Sequence, residues 1–202
     1  MHLPNLNETQ SKRLLELCQQ TYGIDTVAID DEKTYRMISD GDTDGIFMME
    51  TEWIKYDLRQ IRPANIEELT ACMALSHSVH MNPYIYPYLK RSRTKYIVFP
   101  IYKKIEAVED ILRDTHGMLL YKEQVGKIED VIEEMPDDVK LCYKTAIATI
   151  EEEIQERKRT RTISSHDYFY KRAVFCYKLA YMKANYPDLF DKLRKRVLNI
   201  KE

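Results

Sequence analysis

Asp42-Thr43-Asp44 sets two carboxylates two residues apart, with Gly41 and Gly45 on either side. Paired carboxylates at that spacing can hold a divalent cation for phosphoryl transfer. The flanking glycines and the acidic segment from Asp25 to Glu52 favour a plainer reading, a polar turn after a helix. His77 and His80 stand three apart, which suits a metal on a helix, but neither paired cysteines nor an H-E-x-x-H motif accompanies them. Cys18, Cys72, Cys142 and Cys176 form no C-x-x-C and are expected to be buried free thiols in a reducing compartment. No P-loop, G-x-S-x-G or G-x-G-x-x-G occurs. The expectation is a chain with no catalytic residues, no metal and no cofactor of its own.

Cations cluster three times: Lys90-Arg91-Arg93-Lys95, Arg157-Lys158-Arg159-Arg161 and Lys192-Arg194-Lys195-Arg196. The first lies beside Tyr84, Tyr86, Tyr88 and Tyr96. Cations interleaved with aromatics suit a phosphate backbone with stacked bases, although any one cluster also reads as a solvated helix face. The rest of the chain gives no help to nucleic acid. Its 31 basic and 33 acidic residues leave a net charge of -2, so contact with DNA must come from local patches.

Helices must position these groups. Hydrophobic residues are 44% of the 202, with only 5 glycines and 7 prolines, a composition that suits a helical domain with a sizeable core. Asn7 with Gln10 reads as a capping box opening a helix whose Leu14, Cys18 and Tyr22 share a face and which Gly23 stops. A short helix is expected from about Glu32 to Gly41, and another through Ile54, Leu58 and Ile61 to Pro63. Asn65 and Glu68 cap the next, with Leu69, Cys72 and Met73 inward. Ile105, Val108, Ile111 and Leu112 mark a helix ended by His116-Gly117, and Val125, Ile128, Ile132 and Met135 mark one ended by Pro136. Tyr143, Ile147, Ile150 and Ile154 follow a longer helix. Phe169, Ala173, Cys176, Ala180 and Ala184 form one stripe beside another of Tyr170, Val174, Tyr177 and Tyr181, which means a wide buried face. Leu189, Leu193, Val197 and Ile200 carry a last helix after Pro187. The exception is Lys95 to Tyr102, KYIVFPIY, which reads as an edge strand. The Pro/Tyr-rich loop before it is a candidate hinge. No run approaches the apolar length a membrane span needs, and the N-terminus has no apolar signal core, so a cytoplasmic protein with no membrane partner is expected.

Four ordered blocks resemble a known family. DDEKTYRMISDGDTDGIFMME (Asp30 to Glu50), RPANIEELTACMAL (from Arg62), ILRDTHGMLLYKEQV (Ile111 to Val125) and AYMKANYPDLF (Ala180 to Phe190) are similar to the bacterial replicative DNA polymerase III alpha subunit. That family shows "LDDxKTYxxxxxGDTTGVFQLES", "PxxxEDLIALxAL", "ILxxTYGxxxYQEQVM" and "AYxTAYLKAHYPAEF" in the same order. The match runs from about Leu15 to Phe190. The resemblance implies the fingers, a mostly helical region beside the palm that carries the metal-binding aspartates. It places Asp42 and Asp44 in a block that is not the catalytic carboxylate motif, and it leaves no room for a palm in residues 1 to 14.

The departures fall at charged positions. Where the family continues "YRPGP", this chain has Ser76-His77-Ser78-Val79-His80. The paired arginines of "ADxLRRAMxKK" are missing from Asp138 to Ile147, where Lys140 and Lys144 supply the charge. "NKSHA" survives as Ser164-Ser165-His166 without its lysine, and the glutamine of "FQLES" is Met48. By the resemblance these groups would grip nucleotide phosphates and template. Turn and core positions persist, among them Tyr35, Gly117, Tyr121 and Gln124.

The resulting expectation is a mainly α, fingers-like domain over residues 1–202, with at most one or two short strands and room for two lobes hinged near residues 81–102. Its implied function is non-catalytic binding of DNA, weak and non-specific, or of a replication protein. Nucleic-acid contacts are assigned to Lys90, Arg91, Arg93, Lys95, Lys140, Lys144, Arg157, Arg159 and His166. The alternative is the fingers part of a split DNA polymerase whose palm is on another chain.

Overall fold

The computed structural model of the chain describes residues 3–24, 27–76, 85–86, 88–89, 105–158 and 165–200. Its regular elements among these residues are helices, with no strand. They are α1 (Glu8–Tyr22), α2 (Glu32–Ser39), α3 (Glu52–Ile61), α4 (Ile66–Ser76), α5 (Glu106–Ile111), a 3-10 turn (Arg113–Thr115), α6 (Lys122–Ile132), α7 (Asp137–Lys158), α8 (His166–Asn185) and α9 (Pro187–Val197). The KYIVFPIY segment, the His77–His80 pair and most of the suggested hinge lie outside the described residues. No helix among the described residues is long and apolar enough to cross a membrane.

Local signals set the helix ends. Asn7 Oδ1 accepts from the Gln10 N–H (2.9 Å), and Gln10 Oε1 accepts from the Asn7 N–H (3.0 Å), so both reach orphan donors of the first turn. Gly23 closes α1 in the left-handed region at φ 61°. At α4 the reciprocal bond is displaced by one residue. Asn65 Oδ1 accepts from the Glu68 N–H, while the Glu68 carboxylate accepts from Ala64 rather than from Asn65.

The chain forms two compact units, one of Met1–Cys72 with Tyr170–Glu202 and one of Met73–Phe169. In the first, α1 packs on α9 and α2 on α3. Leu14, Cys18, Ile38, Leu58, Leu69, Cys72, Ala173, Tyr177 and Phe190 are buried there. The rings of Tyr35 and Tyr177 lie 5.1 Å apart. Tyr177 Oη accepts from the Asp31 N–H (2.8 Å), which ties α8 to the start of α2. In the second unit α6 packs against α5 and α7. Its core is Val108, Leu112, Leu119, Ile128, Ile132, Val139, Tyr143 and Ile147.

Two inward assignments need correction. Tyr22 is largely exposed, at the last position of α1, where the helix has run past the face that buries Leu14 and Cys18. Three thiols are buried, but Cys142 is exposed, because its neighbour Tyr143 takes the inward position on α7. Burial pushes the Cys18 thiol up to about 11 and the Cys176 thiol up to about 12, so neither is a nucleophile near neutral pH.

Candidate functional site

The two aspartates of the D-T-D turn are engaged by lysines. Lys55, on α3, donates to Asp44 Oδ1 (2.6 Å) and to Glu52 (3.1 Å), and it is nearly buried. The hydrogen bond to Asp44, supported by Glu52, raises the Lys55 pKa against the opposing effect of burial. Lys183, on α8, donates to Asp42 Oδ1 (2.5 Å) and to the Asp42 carbonyl (3.0 Å). Thr43 between them is buried, and its hydroxyl donates to the Met49 carbonyl. This is a turn fixed from two helices, as the plainer sequence reading expects. Among the described residues no three His, Cys, Asp or Glu side chains gather as a metal site.

Behind the turn lies a buried ion pair. Arg194, from the third basic cluster, turns inward with its side chain 5% exposed, facing Glu50 at 6%. Its Nη2 donates to the Leu3 and Pro4 carbonyls (3.1 and 2.9 Å) and lies 3.7 Å from Glu50 Oε1. The same carboxylate oxygen accepts from the Gly45 N–H (2.9 Å). Gly45 sits at φ 84°, and a Cβ there would stand 2.8 Å from Arg194 Nη1, so both backbone angle and space call for glycine. One guanidinium thus joins the N-terminal segment, the D-T-D turn and α9. Met48, where the resembling family has glutamine, meets Arg172 of α8, whose Nη1 lies 2.7 Å from its sulfur.

The second unit places the "THG…YKEQV" block at the junction before α6. His116 and Gly117 both take positive φ, reversing the chain. Tyr121 caps α6 with its ring buried, and Gln124 ties the junction together. Gln124 Oε1 accepts from the Leu120 and Tyr121 N–H groups (2.8 and 2.9 Å), and its Nε2 donates to Thr115 Oγ1 (2.7 Å). Glu123 reaches across 42 residues of sequence to accept from the Ser165 hydroxyl (2.6 Å) and the His166 N–H (2.9 Å), capping α8. Burial raises the Glu123 pKa, but these two donors, together with its own N–H and Lys122, hold the carboxyl below its ordinary value. Its contribution to stability is therefore present above the unfolded carboxyl's pKa and lost as pH falls through the folded one. A carbon-13 carboxyl titration is expected to place the Glu123 midpoint below that of an unperturbed glutamate; a midpoint at or above that reference would contradict the cap.

The assigned nucleic-acid contacts do not all fall in view. Lys90, Arg91, Arg93, Lys95 and Arg159 lie outside the described residues, and Arg157 lies in the last turn of α7, outside the described side chains. Of the tyrosines beside the first cluster, Tyr86 is exposed, but Tyr88 is buried with its ring 4.9 Å from that of His116 and offers no free face. Lys140 and Lys144 sit one turn apart on α7, half-buried and exposed. Exposed Glu129, Asp130, Glu133, Glu134, Asp137 and Asp138 precede them in sequence at the α6–α7 corner. His166 opens α8, half-buried, with its ring edge-on to Tyr121 at 4.9 Å. Sequence reasoning missed Arg194 as an inward residue, although its position four after Phe190 and one after Leu193 was the available signal. It also missed the Glu123 cap, which no local pattern marks.

Comparison with known proteins agrees with the block order. The chain is 29% identical to the DNA polymerase III subunit alpha of Rickettsia bellii, over 90% of this chain and 18% of that protein. It is 26% identical to that of Bacillus subtilis over 81% of this chain and 14% of the relative, and 27% identical to that of Aquifex aeolicus over 61% and 11%. The chain thus spans less than a fifth of the length of these relatives. The family model of the bacterial DNA polymerase III alpha subunit finger domain matches residues 7–167. With that match over most of its length, and with the helical fold described above, the chain belongs to the DNA polymerase III alpha subunit finger domain family.

Proposed function

We propose that the chain is a non-catalytic fingers-type module that binds DNA, weakly and without sequence preference, and has no phosphoryl-transfer activity of its own. The observation that carries this reading is the D-T-D turn. Its two carboxylates are occupied by Lys183 and Lys55 and brace a fold, which is the opposite of a metal clamp left open for a nucleotide. The family supports a role at DNA, since the relatives are subunits of a DNA polymerase. A cytoplasmic location is part of the same proposal.

Fluorescence anisotropy with a labelled single strand tests the binding. At low salt the chain is expected to bind at about micromolar affinity or weaker, falling steeply as salt rises. Replacing Lys90→Glu together with Arg91→Glu is expected to weaken the titration several-fold and to flatten its salt slope by roughly one to two. No binding at low salt would remove the DNA reading and leave a replication protein as the partner.

A further inference from the structure

The chain has one tryptophan, and it stands outside the core. Trp53 is 64% exposed, and Tyr56, one turn along α3, is 54% exposed. The opposite side of α3 is buried through Ile54, Lys55, Asp57 and Leu58. Around the two rings the exposed residues of α3 are Glu52, Arg59 and Gln60, with no aliphatic side chain among them. Such a face offers ring surfaces and hydrogen-bonding groups, and lacks the aliphatic lining by which a groove takes an amphipathic helix.

Asp44 and Glu52 share one lysine, Lys55, and Asp40 pairs with Arg62 (3.4 Å), which leaves Arg59 as the cation of this face without a carboxylate among the described residues. Arg59 is placed differently. Its Nε donates to the Asp40 carbonyl (3.2 Å), and its guanidinium lies over Gly41, where a Cβ would stand 2.8 Å from Nε. Gly41 has φ 72°, so the turn itself makes room for the arginine. The side chain is anchored through backbone, and no carboxylate among the described residues pairs with it.

From this arrangement we infer that the exposed face of α3 is a stacking surface for single-stranded nucleic acid, with bases on Trp53 and Tyr56 and a phosphate on Arg59. Helix neighbours three apart stand about 5–6 Å from each other at Cβ, close enough for one strand to reach both rings. Stacking on aromatic faces with an arginine alongside tolerates any base, in keeping with binding that has no sequence preference. This inference rests on the DNA-binding reading above and adds a contact on α3 to the Lys90 and Arg91 cluster tested there.

The tryptophan is its own reporter. Titration of the full chain with a labelled oligodeoxythymidylate at low salt is expected to quench Trp53 emission with the same midpoint as the anisotropy rise. Tyr56→Ala is expected to weaken both signals about fivefold or more, and Trp53→Ala to weaken the anisotropy titration by a similar factor. Both side chains are exposed, so unchanged melting curves would show that the variants remain folded. Anisotropy that rises with no change in emission and no effect of Tyr56→Ala would overturn the α3 site and leave the DNA reading standing. Silence in both signals would overturn both. Quenching of Trp53 by a replication protein, where oligodeoxythymidylate leaves it unchanged, would also overturn the α3 site.

Discussion

Arg194→Ala is expected to cost about 3–5 kcal/mol of stability, the range for removing one partner of a buried ion pair. The loss has three parts. The Leu3 and Pro4 carbonyls lose their donor, Glu50 loses its counter-charge, and the space over Gly45 empties. For a domain of this size the change lowers the melting temperature by roughly 6–20 °C. The cost should also depend on pH. Burial already raises the Glu50 pKa, against the lowering effects of the Gly45 N–H and of Arg194. A carboxyl raised in the folded state favours folding below its unfolded pKa, and this contribution is lost as pH rises through the folded one. Without Arg194 the Glu50 pKa rises further, so the deficit should be largest near neutral pH and shrink on acidification. Adding Glu50→Gln should recover part of the loss, because no buried charge is then left alone. A deficit below about 1 kcal/mol that does not change with pH would place Arg194 among solvated cations.

Tyr121→Ala follows at about 3–5 kcal/mol, the range for deleting a buried aromatic side chain. The ring is 4% exposed and lies edge-on to His166 at the junction that starts α6. Its loss leaves a cavity beside Gln124, which makes four hydrogen bonds at this junction, one of them with the Tyr121 N–H. Urea unfolding of the variant should show a lower midpoint with an unchanged slope. A midpoint equal to that of the parent chain would show that the ring contributes nothing to packing there.

What could be read from residue order was local. The Asn7–Gln10 box, the Gly23 stop and the Pro187 start each act within one turn, and each is found where the sequence puts it. The stripe from Phe169 to Ala184 is buried throughout, since helical spacing fixes which residues share a face. Partners far apart in sequence left no such trace. Glu123 with Ser165, Asp42 with Lys183 and Arg194 with Pro4 are set by how helices return to one another. The third charge cluster divides for a related reason. Clustering in sequence says nothing of direction, and Arg194 points inward while Lys192 and Arg196 remain exposed. Trp53 was silent because the Ile54, Leu58 and Ile61 stripe located the buried side of α3 without saying that the exposed side would carry the chain's one indole.

Primer extension by the purified chain tests the central claim most directly. With a primed template, all four nucleotides and Mg²⁺ or Mn²⁺, no extension is expected, because Asp42 and Asp44 are bound to lysines and supply no metal clamp for in-line transfer. Template-dependent extension that Asp42→Asn abolishes would contradict the account.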